Sequence, residues 1–305
     1  TTTVGAHTLY EIVRKLPDGC SIQLMSDNVS SRLEVLAGRS RFSLATLPRD
    51  DFPVMASSEY ECNFSIDSQI LRRLFDKAKF AMSTEETRYY LNGVYFHIAE
   101  IDSKKFLRTV ATDGHRLAQI DGMPPENSET MPGIIIPRKT VSELRIILES
   151  NDNEIAVSVS ETKVRFATSE MTLTSKVIDG TFPDYTRVIP VGNHKRLEVD
   201  AASFSQSVDR VSTISSERAR AVKLALTNNK LILSVNSPES GAANEELPVN
   251  YDDDSLEIGF NAKYLQEISS QVDGKNAVFL CKVTAVKKPK QTIVDDEFAK
   301  NLGAK

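Results

Sequence analysis

Histidine and carboxylate side chains are where proton chemistry would begin in this chain, and few of them are spaced for it. There are four histidines, His7, His97, His115 and His194. Asp113 stands two residues before His115, a spacing that would let one side chain orient the other for acid–base work. The same triplet, Asp113-Gly114-His115, also reads as a tight turn between strands with a solvent-facing histidine. The runs Asp252-Asp253-Asp254 and Asp295-Asp296-Glu297 could hold a metal, although adjacent carboxylates in a turn are ordinarily just solvated. Cys20, Cys62 and Cys281 lie far apart without metal-ligand spacing, a sparse, odd set that suits a reducing compartment. A Gly-x-Ser-x-Gly elbow, a His-Glu-x-x-His pair and a phosphate-binding Gly-Lys-Ser/Thr loop are all missing from the sequence. These residues point away from an enzyme and imply no cofactor and no metal.

The cations are better organised than the acids. A net charge of −5 argues against a general nucleic-acid binder unless the positive charge is gathered on one surface. A helical wheel places Arg72, Arg73, Lys77 and Lys79 opposite an apolar stripe of Leu71, Leu74, Phe75 and Ala78. Arg138, Lys139 and Arg145 likewise fall away from Val141 and Leu148, and Arg14 with Lys15 ends an earlier helix. A cationic helix face is usually a solvated surface. Several helices with one bias, in a chain that is acidic elsewhere, would suit phosphate contacts without base readout, salt-sensitive and blind to sequence.

The elements that must position these residues follow from periodicity. A chain of 305 residues, 40% apolar and 26% charged, is long enough for roughly two or three domains with sizeable cores. It lacks any apolar run long enough for a membrane-spanning helix. It opens Thr-Thr-Thr-Val, without an initiator Met or a charged-then-apolar leader, which suggests a fragment and not a secretory precursor. Apolar stripes predict helices over His7–Leu16 (Leu9, Ile12, Val13, Leu16) and Ser68–Ala81. A third follows Pro137, with Val141, Leu144 and Leu148 inward. A fourth follows Asp200 as N-cap and buries Phe204, Val208 and Val211. A fifth starts near Asn261 and uses Leu265 and Ile268.

Between helices the period drops to two, as where Val94, Phe96 and Ile98 alternate with Tyr95 and His97. Strands marked by Leu33, Leu107, Val164 and Leu231 recur 74, 57 and 67 residues apart. Phe52-Pro53 and Phe182-Pro183 are 130 apart, near two such units. The pattern predicts an α+β fold of repeated helix-plus-antiparallel-sheet units, two to a domain, with the helices on one face. An unrelated α+β protein with accidental spacing is the plainer alternative.

Five segments make the reading specific. Arg88-Tyr89-Tyr90-Leu91-Asn92-Gly93, Thr109 to Leu117 and Phe182-Pro183-Asp184-Tyr185 resemble signatures of the bacterial DNA sliding clamp family, the beta subunits of DNA polymerase III. They stand in the family's order and at its spacing. Arg39 to Leu44 ahead of Phe52-Pro53, and Ile258-Gly259-Phe260-Asn261, match as well, so the resemblance covers about residues 1 to 278. It implies a DNA-clamp fold of three similar domains per subunit, with two subunits closing head to tail into a homodimer ring. Helices would line the pore and sheets would form the outer wall. Such a protein is a non-catalytic processivity factor that slides on duplex DNA in the bacterial cytoplasm, associated with the nucleoid.

The resemblance also implies sites. The DNA-facing surface would comprise Arg14, Arg72, Arg73, Lys77, Arg138, Lys139 and Arg145, with Tyr89 and Tyr90 as further contacts. A groove for short peptides of the polymerase catalytic subunit, the clamp loader and other partners would use Leu91, Thr112, Gly114, His115, Arg116, Leu117, Pro183, Arg187 and Val188. Its apolar members would receive aliphatic or aromatic anchors, and Arg116 and Arg187 would meet polar or acidic peptide groups. The subunit contact would use Phe42 and Leu44 on one side and Thr213 and Ile214 on the other, with Arg39 and Arg41 facing acids among Glu239, Glu245 and Glu246.

The expected domains are 1–58, the second half of a first clamp domain; 59–190, the second; and 191–279, an incomplete third. The tail, 280–305, departs from the family and weakly resembles a stretch of the chaperone trigger factor. The first domain would lack its opening unit, and the tail leaves open whether the chain completes the groove or closes a ring.

Overall fold

The computed structural model describes residues 2–27, 31–52, 59–149, 154–192, 194–215 and 220–271, and the backbone of 276–281. The tail at 280–305, apart from the backbone of its first two residues, therefore lies outside the described residues, as do Pro53 and the Asp295-Asp296-Glu297 run. The chain divides into two compact units, Thr1–Glu59 and Tyr60–Lys305.

The smaller unit runs β1 (Thr3–Val4), α1 (Ala6–Val13), β2 (Ile22–Asp27), β3 (Arg32–Ala37) and β4 (Ser40–Leu47). Its antiparallel sheet has the order β1-β4-β3-β2, and Leu33, Val35 and Ala37 of β3 are its buried apolar residues. The helix is shorter than the periodicity predicts, ending at Val13, so that Leu16 lies beyond it. None of its residues is fully buried.

The larger unit repeats one plan. Its first half comprises β5 (Cys62–Asp67), α2 (Ser68–Asp76), β6 (Gly93–Ile101), β7 (Lys104–Thr112), β8 (Leu117–Gly122), β9 (Ile134–Pro137), α3 (Arg138–Glu149), β10 (Glu154–Val159), β11 (Lys163–Ala167) and β12 (Thr172–Lys176). The sheets are β8-β7-β6-β9 and β12-β11-β10-β5. The strand before each helix pairs with the first strand after the other helix, β5 with β10 and β9 with β6. That exchange locks the two helix-plus-sheet repeats of this half together around one core, where Leu71, Leu74 and Phe75 of α2 meet Val141, Leu144 and Leu148 of α3. Phe64, Phe96 and Phe166 close it from the strands.

The second half follows with β13 (Lys195–Asp200), α4 (Ala201–Ser212), β14 (Ala221–Thr227), β15 (Lys230–Ser237), β16 (Gly241–Pro248), β17 (Leu256–Asn261), α5 (Ala262–Ser269) and β18 (Asn276–Cys281). The same exchange recurs: β17 pairs with β14, and β13 with β18. The four strands marked in the sequence prove equivalent, since Leu33, Leu107, Val164 and Leu231 each sit in the second strand of a hairpin. Three of these hairpins turn through non-glycine residues with positive φ: Ser31, Asp102 with Ser103, and Asn229.

Two further helix predictions need correction. The second helix ends at Asp76, and Lys79–Ala81 forms a separate 3-10 turn that tucks Ala78 and Ala81 into the core. On α5 the buried stripe is Ala262, Leu265 and Ser269, which leaves Ile268 36% exposed on the flank. Asp200 caps α4 as the sequence predicts, and Asn261, near which the sequence predicts the start of the fifth helix, caps α5. The side chains of Asp200 and Asn261 accept from Ser203 N–H and Lys263 N–H, satisfying donors that the first turn of a helix leaves open.

Candidate functional site: a groove on the outer face of the central sheet

Tyr95 and His97 alternate with core residues on β6, yet both are half-buried. The face of sheet β8-β7-β6-β9 turned away from the helices is covered by the segment that leads from β12 toward β13. Ile178 N–H donates to Ile135 O at 2.9 Å, pinning that segment to β9. Phe182 then lies flat on Tyr95, with ring centroids 4.9 Å apart and planes 7° apart. Phe182 and Tyr185 join Leu91, Val110 and Ile135 in a small apolar cluster of their own. Asp184 shapes the next turn by accepting from Thr186 N–H and Oγ1–H, at 3.3 and 2.5 Å. These bonds, with the Arg187 guanidinium at 2.7 Å, hold the Asp184 carboxyl below its usual pKa.

Between that turn and the loop joining β7 to β8 runs a groove of about 550 Å³. It is lined by Leu91, Thr112, Gly114, His115, Arg116, Leu117, Pro183 and Val188, and also by Asp184, Tyr185, Ile189 and Pro190. Eight of the nine residues matched from sequence thus converge. Arg187 stands outside that lining, with its side chain 83% exposed and its charge on Asp184. Tyr185 was legible only as part of the Phe182-Pro183-Asp184-Tyr185 signature, and Ile189 and Pro190 only as neighbours of Val188. Val188 and Ile189 remain 67% and 39% exposed, so the wall presents apolar surface to the groove's mouth.

The loop at the groove's other side is a built turn. Asp113 Oδ1 accepts from the backbone N–H groups of His115 and Arg116 at 2.9 and 3.0 Å, so its carboxylate is spent on the turn and does not orient the imidazole. The acid–base reading of Asp113 and His115 is therefore replaced by a structural one. Gly114 sits at φ +86°, a left-handed conformation that favours glycine, and a Cβ there would come within 2.6 Å of Arg88 Nη1. His115 stacks at 6.2 Å on Tyr264 of α5.

Arg116 departs from expectation in what its head group does. Its Nε donates to Asp113 at 3.2 Å, Nη1 to Glu267 of α5, and Nη2 to Phe80 O at 2.7 Å. Its guanidinium lies 4.5 Å from the Tyr264 ring centroid and 5.1 Å from that of Phe80. The stem lines the groove while the charge ties the central half of the unit to α5, leaving it little capacity for an incoming acid.

The cationic residues separate into two kinds. Arg72 and Arg145, on neighbouring helices, share Asp76 and Glu149, and Lys79 also pairs with Asp76. Lys77 Nζ donates to Gln271 O at 2.6 Å, and Arg138 Nη2 to the carbonyls of Met82 and Ser83. Arg73 and Lys139 are exposed. Arg14, in the smaller unit, pairs with Glu11 and lies over Tyr10. Tyr89 is 54% exposed, whereas Tyr90 packs against the apolar cluster beneath the wall.

At the residues matched to a subunit contact, Phe42 and Leu44 are half-buried on β4, and Ile214 packs on the core beside α4. Arg41 pairs with Glu34 within its own sheet. Glu245 is bound by Arg210 and Ser207, and Glu246 by Lys230, so these acids have partners already. Asp253 and Asp254 pair with Lys195, which accounts for that part of the acidic run.

Comparison with known proteins places the chain. Three family models match in succession: the N-terminal domain of the DNA polymerase III beta subunit over residues 1–56, its central domain over 65–184 and its C-terminal domain over 186–295. The beta sliding clamp of Caulobacter vibrioides is 50% identical over 277 residues, 91% of this chain and 74% of that protein. That of Escherichia coli K12 is 38% identical over 275 residues, 90% of this chain and 73% of its own. A Bartonella birtlesii sliding clamp crystallised with griselimycin superposes with a TM-score of 0.87 at 49% identity, covering 92% of this chain and 75% of that one. With the repeated fold in place and all three domain models matched in order, the chain belongs to the bacterial DNA polymerase III beta sliding clamp family.

Proposed function

We propose that the groove between Leu117 and Val188 is where this processivity factor receives short linear segments of its partners. As a sliding clamp the chain is a non-catalytic subunit that keeps DNA polymerase III on duplex DNA in the bacterial cytoplasm. The observation that supports the groove reading is the convergence of Leu91, Leu117, Pro183 and Val188 on one trough of about 550 Å³ with exposed apolar rims. Such a trough suits one or two aliphatic or aromatic anchors on an extended segment.

The test uses the full chain and the cognate polymerase catalytic subunit. Val188→Asp, at the exposed rim, and Leu117→Asp, at a half-buried side chain packed on the small apolar cluster, are expected to weaken binding at least about a hundredfold by interferometry, with far-UV circular dichroism showing that both variants stay folded. Unchanged affinity in both would remove the groove from the partner interface. We further assign the DNA-facing surface to the α2–α3 face. Its exposed charges would be Arg73, Arg138, Lys139 and Arg145, with Arg138 and Arg145, like Arg72 and Lys77, also held in place by their neighbours. Its use on the chromosome would make the protein nucleoid-associated. For the subunit contact we take β4 and β16: among the described residues Ser40 to Ala45 pairs with no strand on the side away from β3, and β16 is one end of its sheet. Edge-to-edge pairing between copies, flanked by Phe42, Leu44, Thr213 and Ile214, would close the ring.

A further inference from the structure

Beneath the groove wall lies a polar row that does not line the groove. His97, Arg108 and Asp121 are direct partners across β6, β7 and β8, so their side chains rise side by side from one face. Arg108, only 4% exposed, donates to both oxygens of Asp121, at 2.5 and 2.7 Å, and through Nη1 to the Tyr185 hydroxyl at 3.1 Å. The same hydroxyl lies 3.1 Å from His97 Nε2, and His97 Nδ1 lies 3.0 Å from Ile98 O. A carbonyl only accepts, so Nδ1 carries the proton. In the neutral ring Nε2 is then an acceptor, and the Tyr185 O–H donates to it. The row thus has one direction of donation, from Arg108 to Tyr185 to His97 to the backbone.

Tyr185 is the member of this row that also lines the groove. It begins the 3-10 turn, Tyr185–Arg187, that delivers Val188, Ile189 and Pro190 to the wall. Ring packing alone is non-directional and would tolerate sliding of that turn. A hydroxyl held between the buried Arg108 and the half-buried His97 fixes both its depth and its azimuth.

We propose that His97, Arg108 and Asp121 are positioning residues for the partner groove, setting the place of its wall through the Tyr185 hydroxyl and only while His97 is neutral. This rests on the groove reading above. Burial disfavours the imidazolium and Arg108 adds to that, while the Ile98 carbonyl and Asp121 oppose it; the net effect lowers the His97 pKa. The groups facing His97 are Tyr95, stacked on it at 4.3 Å, Arg108 from β7, Asp121 from β8 and Tyr185 from the turn. Protonation would turn Nε2 into a donor. The Tyr185 oxygen would then face two donors, its own proton would lose its acceptor, and two cations would stand together. The wall would loosen as pH falls through the depressed pKa.

The test compares wild type with Tyr185→Phe and His97→Gln, with Leu117→Asp as groove control. The readouts are affinity for the cognate polymerase catalytic subunit between pH 7.5 and 5.5, and amide exchange by mass spectrometry. Tyr185→Phe keeps the ring and is expected to weaken binding about fivefold at pH 7.5, the fold-change of one lost hydrogen bond. Exchange should quicken over 185–190 while α2 and α3 stay protected. Wild-type affinity should fall on the acid side of the ordinary histidine range, and that component should vanish in both variants. His115 also lines the groove, but it is common to all the proteins compared. His97→Gln supplies the same readouts should Tyr185→Phe fold poorly. Wild-type affinity and pH profile in both variants, with binding lost in Leu117→Asp, would overturn the positioning role alone. Wild-type binding by Leu117→Asp as well would overturn the groove reading and this inference with it.

Discussion

Arg116 and Arg187 are the same letter beside the same groove, and the structure gives them opposite roles. Arg116 is 11% exposed and engages Asp113, Glu267 and Phe80 O, whereas Arg187 holds only Asp184 from a side chain 83% exposed. Arg116→Ala strands two carboxylates and should cost about 2–3 kcal/mol of stability in urea unfolding. Arg187→Ala should change stability by less than about 0.5 kcal/mol. Equal costs would mean that the bridge to α5 contributes little. Motif matching found both positions because it reads residue type. It could not read the direction of a guanidinium, which depends on Glu267, 151 residues further along the chain. The same blindness hid the row under the wall: Tyr185 and His97 are 88 residues apart, and no local period links them.

At the scale of elements, apolar stripes and caps were readable because they are local. Asp67 caps α2 by accepting from Gln69 and Ile70 N–H at 2.9 and 3.0 Å, so Asp67→Ala should cost about 1 kcal/mol by chemical unfolding. Asp200 does the same for α4, and its bonds to Ser203 hold its pKa below the usual aspartate value. A carboxyl lowered in the folded state stabilises above its unfolded pKa, near about 4, and loses that contribution as pH falls through the folded value. Thermal melts of Asp200→Asn should therefore lack the part of the acid-side decline that wild type shows. The end of α2 was not readable, because Ala78 and Ala81 continue the helical period while the chain turns to bury them differently. Nor could alternation on β6 reveal that a later segment covers its second face.

At the scale of the whole molecule, salt-resistant retention distinguishes topology from adhesion. With the cognate clamp loader present, the protein should stay on closed circular DNA in high salt and leave the same DNA once it is linearised. Equal retention on both would replace encirclement with direct binding. Arg73→Glu with Lys139→Glu should slow loading about tenfold at low salt and much less at high salt, as screened phosphate contacts require. Phe42→Asp should shift the sedimentation of the dimer toward monomer. The wall of the groove carries a last consequence. Because its place is set from below, a compound occupying the groove meets a surface that distant substitutions can move. Resistance to such a compound can therefore arise at His97, Arg108 or Asp121, residues it never touches, and surveillance confined to the contact residues would miss it.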